Sequence, residues 1–140
     1  MNKISENRFQ CGKVILAPSG TGKTTWIQSN PEMGWEDADI LFKQSPDFEA
    51  TANEEEREKH YKEIDIKLEI EKQKGKKILS SLFWDYIPDA IVIPDESIHK
   101  IYVSNRSDLS WVKVKRLRSY METIDAPKFK TIDEAVRYVV

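Results

Sequence analysis

Residues 13–29 read KVILAPSGTGKTTWIQS. The run 13–17 is apolar and rich in β-forming side chains, which predicts a buried strand, and Pro18-Ser19-Gly20-Thr21-Gly22 is a strong turn signal. Residues 23–29 suit a short helix, and Asn30-Pro31 stops it because the residue before a proline is driven out of helical geometry. The stretch therefore predicts a strand, a glycine-rich loop and a helix in succession.

The same alternation of strand and helix continues along the rest of the chain. Further strands are predicted at 38–42, 77–84 and 90–93, with an extended piece near Phe129. Helices are predicted at 50–74, 95–105 and 109–123, and from Thr131 to the C-terminus. The last helix opens with Thr131 and Glu134, the spacing of a capping box. This order of elements predicts an α/β layer fold with a mostly parallel sheet.

Composition sets the class of protein. The 140 residues are 39% hydrophobic, which suits a single domain over 1–140 with a real core. The 24 acidic and 22 basic residues leave a net charge of −2, so no general attraction to nucleic acid is expected. Cys11 is the only cysteine, which favours a reduced, cytoplasmic setting. Residues 1–10 are polar and expected at the edge of the fold, and the chain has neither a signal-peptide run nor a membrane span.

The loop between the first strand and helix carries the strongest motif. Residues 17–24, APSGTGKT, fit the Walker A phosphate-binding pattern, with Ala17 where glycine is usual. Gly20 and Gly22 let the backbone curl until its N–H groups point inward at phosphate oxygens, and the helix N-terminus adds its positive dipole end. Lys23 is expected against the β- and γ-phosphates, and the Thr24 hydroxyl is the expected Mg²⁺ ligand. The competing interpretation is a structural glycine turn with a solvated lysine.

Through this motif the chain resembles the P-loop NTPase superfamily, and within it the small nucleoside, nucleotide and metabolite kinases, including short phage-encoded ones. The resemblance implies a three-layer P-loop kinase-like fold of about five strands, with ATP and Mg²⁺ as cofactors. It implies γ-phosphoryl transfer to a nucleoside, nucleotide or similar small acceptor. The nucleotide-binding residues it implies are Ser19, Gly20, Thr21, Gly22, Lys23, Thr24 and Thr25.

Two aspartates form the candidate acceptor site. Asp37 and Asp39, in the stretch WEDADIL, resemble the Asp-x-Asp element of several small-molecule and polynucleotide kinases. A carboxylate there can orient the acceptor hydroxyl and take up its proton, and in an extended chain both would face one side. Trp35 offers a surface on which a base could stack. The plainer alternative has Asp37 capping a turn, Asp39 on the surface and Trp35 in the core.

The second acid beside the metal is less defined. Asp85 follows the third predicted strand, which in the kinases that the chain resembles neighbours the first strand, and it is the favoured Mg²⁺-associated carboxylate. Asp95-Glu96 follows the fourth strand and resembles an ATPase acid pair. If that pair is the functional one, Glu96 could orient a water, and hydrolysis without an acceptor becomes the expected activity.

Basic residues after the fourth strand are candidates for closing over the nucleotide. Arg106 occupies the position of a lid arginine that neutralises the transferring phosphoryl group, or else it complements a helix C-terminus. Residues 113–118, KVKRLR, are either a solvated helix face or a local basic patch. The first functional reading is a kinase. A nucleotide-binding module or non-kinase NTPase is the alternative, and a polynucleotide 5′-kinase is disfavoured by the balanced charge.

Overall fold

A sheet of five parallel strands forms the centre of the molecule. The computed structural model describes residues 12–42 and 46–140. Its strands are β1 (Lys13–Leu16), β2 (Trp35–Asp37), β3 (Lys77–Ser80), β4 (Ala90–Val92) and β5 (Lys128–Phe129). They lie in the order β2-β3-β1-β4-β5, and every pairing is parallel. The prediction of an α/β fold with a sheet of about five parallel strands is confirmed.

Helices flank the sheet. They are α1 (Lys23–Ser29), α2 (Ala38–Leu41), α3 (Pro46–Thr51), α4 (Glu54–Gln73), α5 (Glu96–Ser104), α6 (Trp111–Glu122) and α7 (Ile132–Val139), with a 3₁₀ turn at Pro31–Met33. The Thr131 hydroxyl accepts a hydrogen bond from the Glu134 N–H, which is one of the two bonds of the predicted capping box. Within the described ranges, no helix combines the length and the apolar composition needed to cross a bilayer. The expectation for residues 1–10 lies outside the described residues.

Apolar side chains cover both faces of the sheet, so the fold has three layers. Val14 and Leu16 of β1 pack with side chains of α4 and α6, including Ile64, Leu68 and Met121. Ile15 and Ala17 point the other way and pack with side chains of α1 and α7. Successive residues of a strand face opposite sides, and β1 is apolar at every position after Lys13 because both of its faces are covered.

The predicted strand at 38–42 is wrong, and β2 lies three residues earlier. Trp35 is 4% exposed and pairs with Lys77 of β3, so it belongs to the core and offers no stacking surface. Asp37 then ends the strand, because its carboxylate accepts the Asp39 N–H at 2.9 Å and caps the helical turn α2. Local side chain–backbone bonding of this kind competes with an extended ladder. The expectation that Asp37 and Asp39 share one side of a strand fails with it.

The sheet order fixes where a ligand can approach. From β1 the chain crosses towards β2 at one edge, whereas from β3 and from β4 it proceeds towards the β5 edge. In open α/β sheets such a divergence opens a crevice at the carboxyl ends of the strands. The glycine loop 17–22 lies there, directly after β1 and beside the segments that follow β2 and β3.

Candidate functional site

The glycine loop has the backbone geometry that its sequence predicts. Gly20 and Gly22 adopt φ angles of 82° and 95°, which side chain-bearing residues rarely take, and Gly22 caps the N-terminus of α1. The Thr21 hydroxyl closes the loop by donating to the Pro18 carbonyl at 2.6 Å. A Cβ atom on Gly20 would lie 2.6 Å from Val103 Cγ2 of α5, so the loop is pressed against that helix.

Lys23 and Asp39 face each other across the loop. The Lys23 side chain is 7% exposed, and its Nζ lies 3.2 Å from Asp39 Oδ2. Ser81, just after β3, completes the group: its hydroxyl donates to Asp39 Oδ2 at 2.6 Å and its N–H donates to Oδ1 at 3.1 Å. A buried lysine is thus held beside a partly exposed, well-oriented carboxylate. Lys23 is not the solvated lysine of the structural-turn alternative.

Thr24 and Asp37 form a second pair beside the first. The Thr24 hydroxyl donates to Asp37 Oδ2 at 3.0 Å, and Asp37 is only 8% exposed. Asp37 therefore both caps α2 and reaches the first turn of α1. A hydroxyl and a carboxylate oxygen are the ligand types that Mg²⁺ accepts in proteins.

Asp85, the predicted Mg²⁺-associated acid, does not directly follow β3. The sequence argument that β3 neighbours β1 is confirmed, with Val14 opposite Ile78. However, β3 ends at Ser80, and Asp85 is an exposed residue five positions further on. Its N–H donates to Asp65 Oδ2 of α4 at 2.7 Å, while the carboxylate that reaches Thr24 is that of Asp37. The sequence feature that drew attention to Asp37 was the Asp-x-Asp element at the end of β2.

A cavity of about 830 Å³ opens on the α1 side of the loop. Its lining includes Thr25 and Trp26 of α1, Arg106 after α5 and residues 130–133 at the start of α7. Arg106 is exposed at this cavity and forms an ion pair with Asp108, two residues further along the chain. Arg106 Nη2 lies 2.7 Å from Asp108 Oδ2. Asp95 lines the same cavity and is paired with Lys130 at 3.0 Å. Arg106 and Asp95 thus border the same cavity, and Asp39 is not among its lining residues.

A second cavity, of about 750 Å³, is lined in part by Ser19 of the glycine loop and by Ser81. Since Ser81 bonds to Asp39, this cavity lies on the Asp39 side of the loop. Its walls are mainly aromatic and aliphatic side chains from α4, α6 and the segment after β3: Tyr61, Leu82, Phe83, Trp84, Leu117 and Tyr120, with Asp85 at the rim. Phe83 and Tyr120 are stacked at 5.7 Å. The loop therefore separates two cavities of similar size and different lining.

A buried histidine contacts the glycine loop, and no motif in the sequence predicts this contact. His99 of α5 is 0% exposed, with Nε2 2.8 Å from the Ser19 carbonyl oxygen and Nδ1 2.9 Å from Arg118 Nη1. Arg118 is itself 6% exposed and also donates to the Pro94 carbonyl at 2.7 Å. Burial lowers the pKa of His99, and the cations Arg118 and Lys23 act in the same direction, whereas the hydrogen bond with the Ser19 carbonyl acts against them.

The basic run 113–118 is therefore divided in two. Lys113, Lys115 and Arg116 are exposed on α6, as expected of a solvated face, whereas Arg118 points into the core beneath the loop.

Neither a family model, nor a curated protein, nor a solved structure matches the chain.

Proposed function

We propose that the protein is a P-loop kinase that transfers the γ-phosphoryl group of MgATP to a small acceptor. One observation carries the proposal: buried Lys23 lies 3.2 Å from Asp39, at the carboxyl ends of the strands, beside a glycine loop with two left-handed residues. A lysine and a carboxylate kept together at such a loop supply the two functions that phosphoryl transfer to a hydroxyl needs. The lysine neutralises phosphate charge, and the carboxylate orients the nucleophile.

The nucleotide is proposed to lie across the loop with its base in the cavity on the α1 side. The inward N–H groups of the loop and the N-terminus of α1 hold the phosphates. The cavity of about 830 Å³ is of the size that small-molecule sites occupy. Arg106 borders it and, on leaving Asp108, can approach the transferring phosphoryl group.

The residues present fit a magnesium ion. Among the described residues, no three His, Cys, Asp or Glu side chains converge to hold a metal by themselves. Mg²⁺ commonly takes only one or two protein oxygens and completes its shell with phosphates and water. Thr24 and Asp37, joined at 3.0 Å, would hold it in this way, and the ion would neutralise charge that develops on the β- and γ-phosphates.

Asp39 is proposed to orient the acceptor hydroxyl and to accept its proton. Its carboxylate takes the proton of the acceptor hydroxyl as the hydroxyl oxygen bonds to the γ-phosphorus. The bond between that phosphorus and the β–γ bridging oxygen breaks, and the electron pair leaves on ADP. Ser81 holds Asp39 by two hydrogen bonds, so the carboxylate is oriented before the acceptor arrives. Such positioning is the larger part of catalysis in phosphoryl transfer.

The cavity on the Asp39 side favours a planar acceptor that carries no phosphate. Its walls are aromatic, and no lysine or arginine is among its described lining residues. A nucleoside monophosphate would bring two negative charges that such walls leave uncompensated. A nucleoside or another aromatic alcohol suits the cavity better than a nucleotide or a polynucleotide. A cytoplasmic location, where ATP is abundant, agrees with this activity.

An acceptor screen tests the proposal. ADP formation from ATP is measured with nucleosides, nucleoside monophosphates, short oligonucleotides and no acceptor, for the wild type and for Lys23→Ala. Stimulation by nucleosides, with loss of turnover in Lys23→Ala, is expected. Turnover that no acceptor changes would replace the kinase by an NTPase, and stimulation by oligonucleotides alone would favour the polynucleotide kinase.

A further inference from the structure

We propose that His99 is the positioning residue of the phosphate loop, and that with Arg118 it fixes the direction of the Gly20 N–H group. The histidine lies outside the loop and reaches the Ser19 carbonyl from α5, at 2.8 Å. The consequence for nucleotide binding rests on the proposed function. The hydrogen-bond arrangement itself can be tested without any nucleotide.

Arg118 determines the state of the imidazole ring. A guanidinium group donates hydrogen bonds and accepts none, so His99 Nδ1, 2.9 Å from Arg118 Nη1, must be the acceptor. The ring is then neutral and carries its hydrogen on Nε2, which donates to the Ser19 carbonyl. The charged groups that face the ring are Arg118 from α6 and Lys23 from α1, and both oppose a positive charge on it.

The peptide plane passes this restraint to the loop. In a trans peptide the C=O and the following N–H point in opposite directions. With the Ser19 carbonyl held on His99, the Gly20 N–H points away from α5. Gly20 also lies so close to α5 that an added Cβ atom would come within 2.6 Å of Val103 Cγ2. We infer that the Gly20 N–H is thereby kept aimed at the phosphate position before ATP binds.

A role in packing alone does not require these groups. A buried polar pair of this kind stabilises no better than apolar side chains of similar volume, and such replacements are often neutral. Here both ring nitrogens of His99 and the Nη1 atom of Arg118 have hydrogen-bond partners, and one partner is a carbonyl of the glycine loop. This arrangement predicts a loss of nucleotide affinity in a protein that still folds when both side chains become apolar, with some loss of stability because the Ser19 and Pro94 carbonyls lose these donors.

Nitrogen NMR of the imidazole rings tests the hydrogen-bond arrangement in the nucleotide-free protein. His60 is the only other histidine, so His60→Gln identifies the His99 signals. At pH 7 we expect a neutral ring with hydrogen on Nε2. A ring with hydrogen on Nδ1, or a charged ring, would overturn the inference whatever the protein binds.

Calorimetric titration with MgATP tests the consequence. The double variant His99→Leu/Arg118→Met removes the donor to Ser19 without leaving Arg118 buried and unpaired, and about tenfold weaker binding is expected for the loss of one such hydrogen bond. His99→Gln keeps an amide donor at this position and should bind within about threefold of the wild type. Thermal unfolding followed by circular dichroism establishes that each variant is folded. Wild-type affinity in the folded double variant would overturn the inference.

The pH profile adds a readout that packing alone does not produce. Once the pH falls below the lowered pKa of His99, protonation of the ring must break the bond from Arg118, so the wild type should lose affinity relative to His99→Gln. Parallel profiles would count against the inference, and this comparison does not depend on the folding of the double variant. Absence of MgATP binding by the wild type would overturn the proposed function together with this consequence, whereas equal binding by wild type and double variant would overturn the inference alone.

Discussion

Asp39→Asn is expected to slow phosphoryl transfer and, at the same time, to tighten ATP binding. The amide keeps the size of the side chain and can still accept from Ser81, but it cannot take a proton from the acceptor. Loss of a positioned proton acceptor lowers transfer by about 10²–10⁴-fold. A substitution that merely disturbed the loop would weaken ATP binding as well, so the two effects are diagnostic in combination.

The magnitude of the binding effect follows from the ion pair. In the nucleotide-free protein Lys23 Nζ lies 3.2 Å from Asp39 Oδ2, and ATP must draw the ammonium towards its phosphates. Two unit charges at this distance attract by about 1 kcal/mol in water and about 5 kcal/mol at an intermediate dielectric. The Asp39 side chain is 33% exposed, so solvent screening places the net value near the lower end, about 1–2 kcal/mol. In Asp39→Asn this ion pair no longer holds Lys23, so the ATP dissociation constant is expected to be lower than in the wild type by a factor of about 5–30.

Two assays on the same samples separate the effects. Calorimetry gives ATP affinity, and a coupled ADP assay with the acceptor found in the screen gives transfer. Asp125→Asn is the matched control, because Asp125 is an exposed acid before the amino end of β5, at the opposite edge of the sheet. Normal transfer by Asp39→Asn would refute the proposed acceptor role, and weaker ATP binding would refute the argument from the ion pair.

Three further predictions concern the metal, the lid and the pH dependence of stability. Asp37→Asn keeps the cap on α2 but loses a charge beside Thr24, so it should raise the Mg²⁺ concentration needed for half-maximal turnover about tenfold, whereas Asp85→Asn should leave it unchanged. If this Mg²⁺ concentration rose in Asp85→Asn and not in Asp37→Asn, Asp85 would be the metal-associated acid instead. Arg106→Ala should lower kcat by about 10²-fold with ATP affinity nearly unchanged, because the arginine faces the nucleotide only after leaving Asp108; an equal loss in kcat and affinity would contradict this. Because the pKa of His99 is lowered in the folded protein, the native state favours the neutral ring, and the unfolding midpoint should fall as pH drops below about 6.5 in the wild type but not in His99→Leu/Arg118→Met.

The sequence was sufficient for the loop and for the order of elements. The apolar run before Pro18 and the glycines after it predict β1, the turn and α1, and the helix occupies residues 23–29 as predicted. These signals are local: glycine conformation, proline blocking and apolar runs act within a few residues. The parallel sheet followed from the alternation of strands and helices, which leaves few other arrangements.

The end of β2 shows where local patterns fail. The run Ala38–Phe42 has the apolar character of a strand, yet the chain is helical from Ala38 because Asp37 caps it. The extended segment is Trp35–Asp37, whose pairing with β3 depends on residues some forty positions away. A secondary-structure prediction from a short window of sequence depends on the apolar content of that window and contains no information about such distant pairing.

The partners of the site residues were also beyond the sequence. Ser81, Asp37 as the partner of Thr24, and His99 beneath Ser19 lie between 13 and 80 positions from the residues that they contact. Contacts of this range depend on strand order and on which helix covers which face of the sheet. Position along the chain predicted which acids follow strands, but only the packed structure distinguishes Asp37 from Asp85.

Calorimetric titration of the wild type and Lys23→Ala with MgATP tests the nucleotide site most directly. Asp39 is partly exposed and retains both bonds from Ser81, so Lys23→Ala is expected to fold. The account predicts one ATP per chain for the wild type and affinity weaker by about 10–100-fold for Lys23→Ala, the loss of one charge-assisted contact to phosphate. Equal ATP affinity in the two folded proteins, or no binding by either, would contradict it.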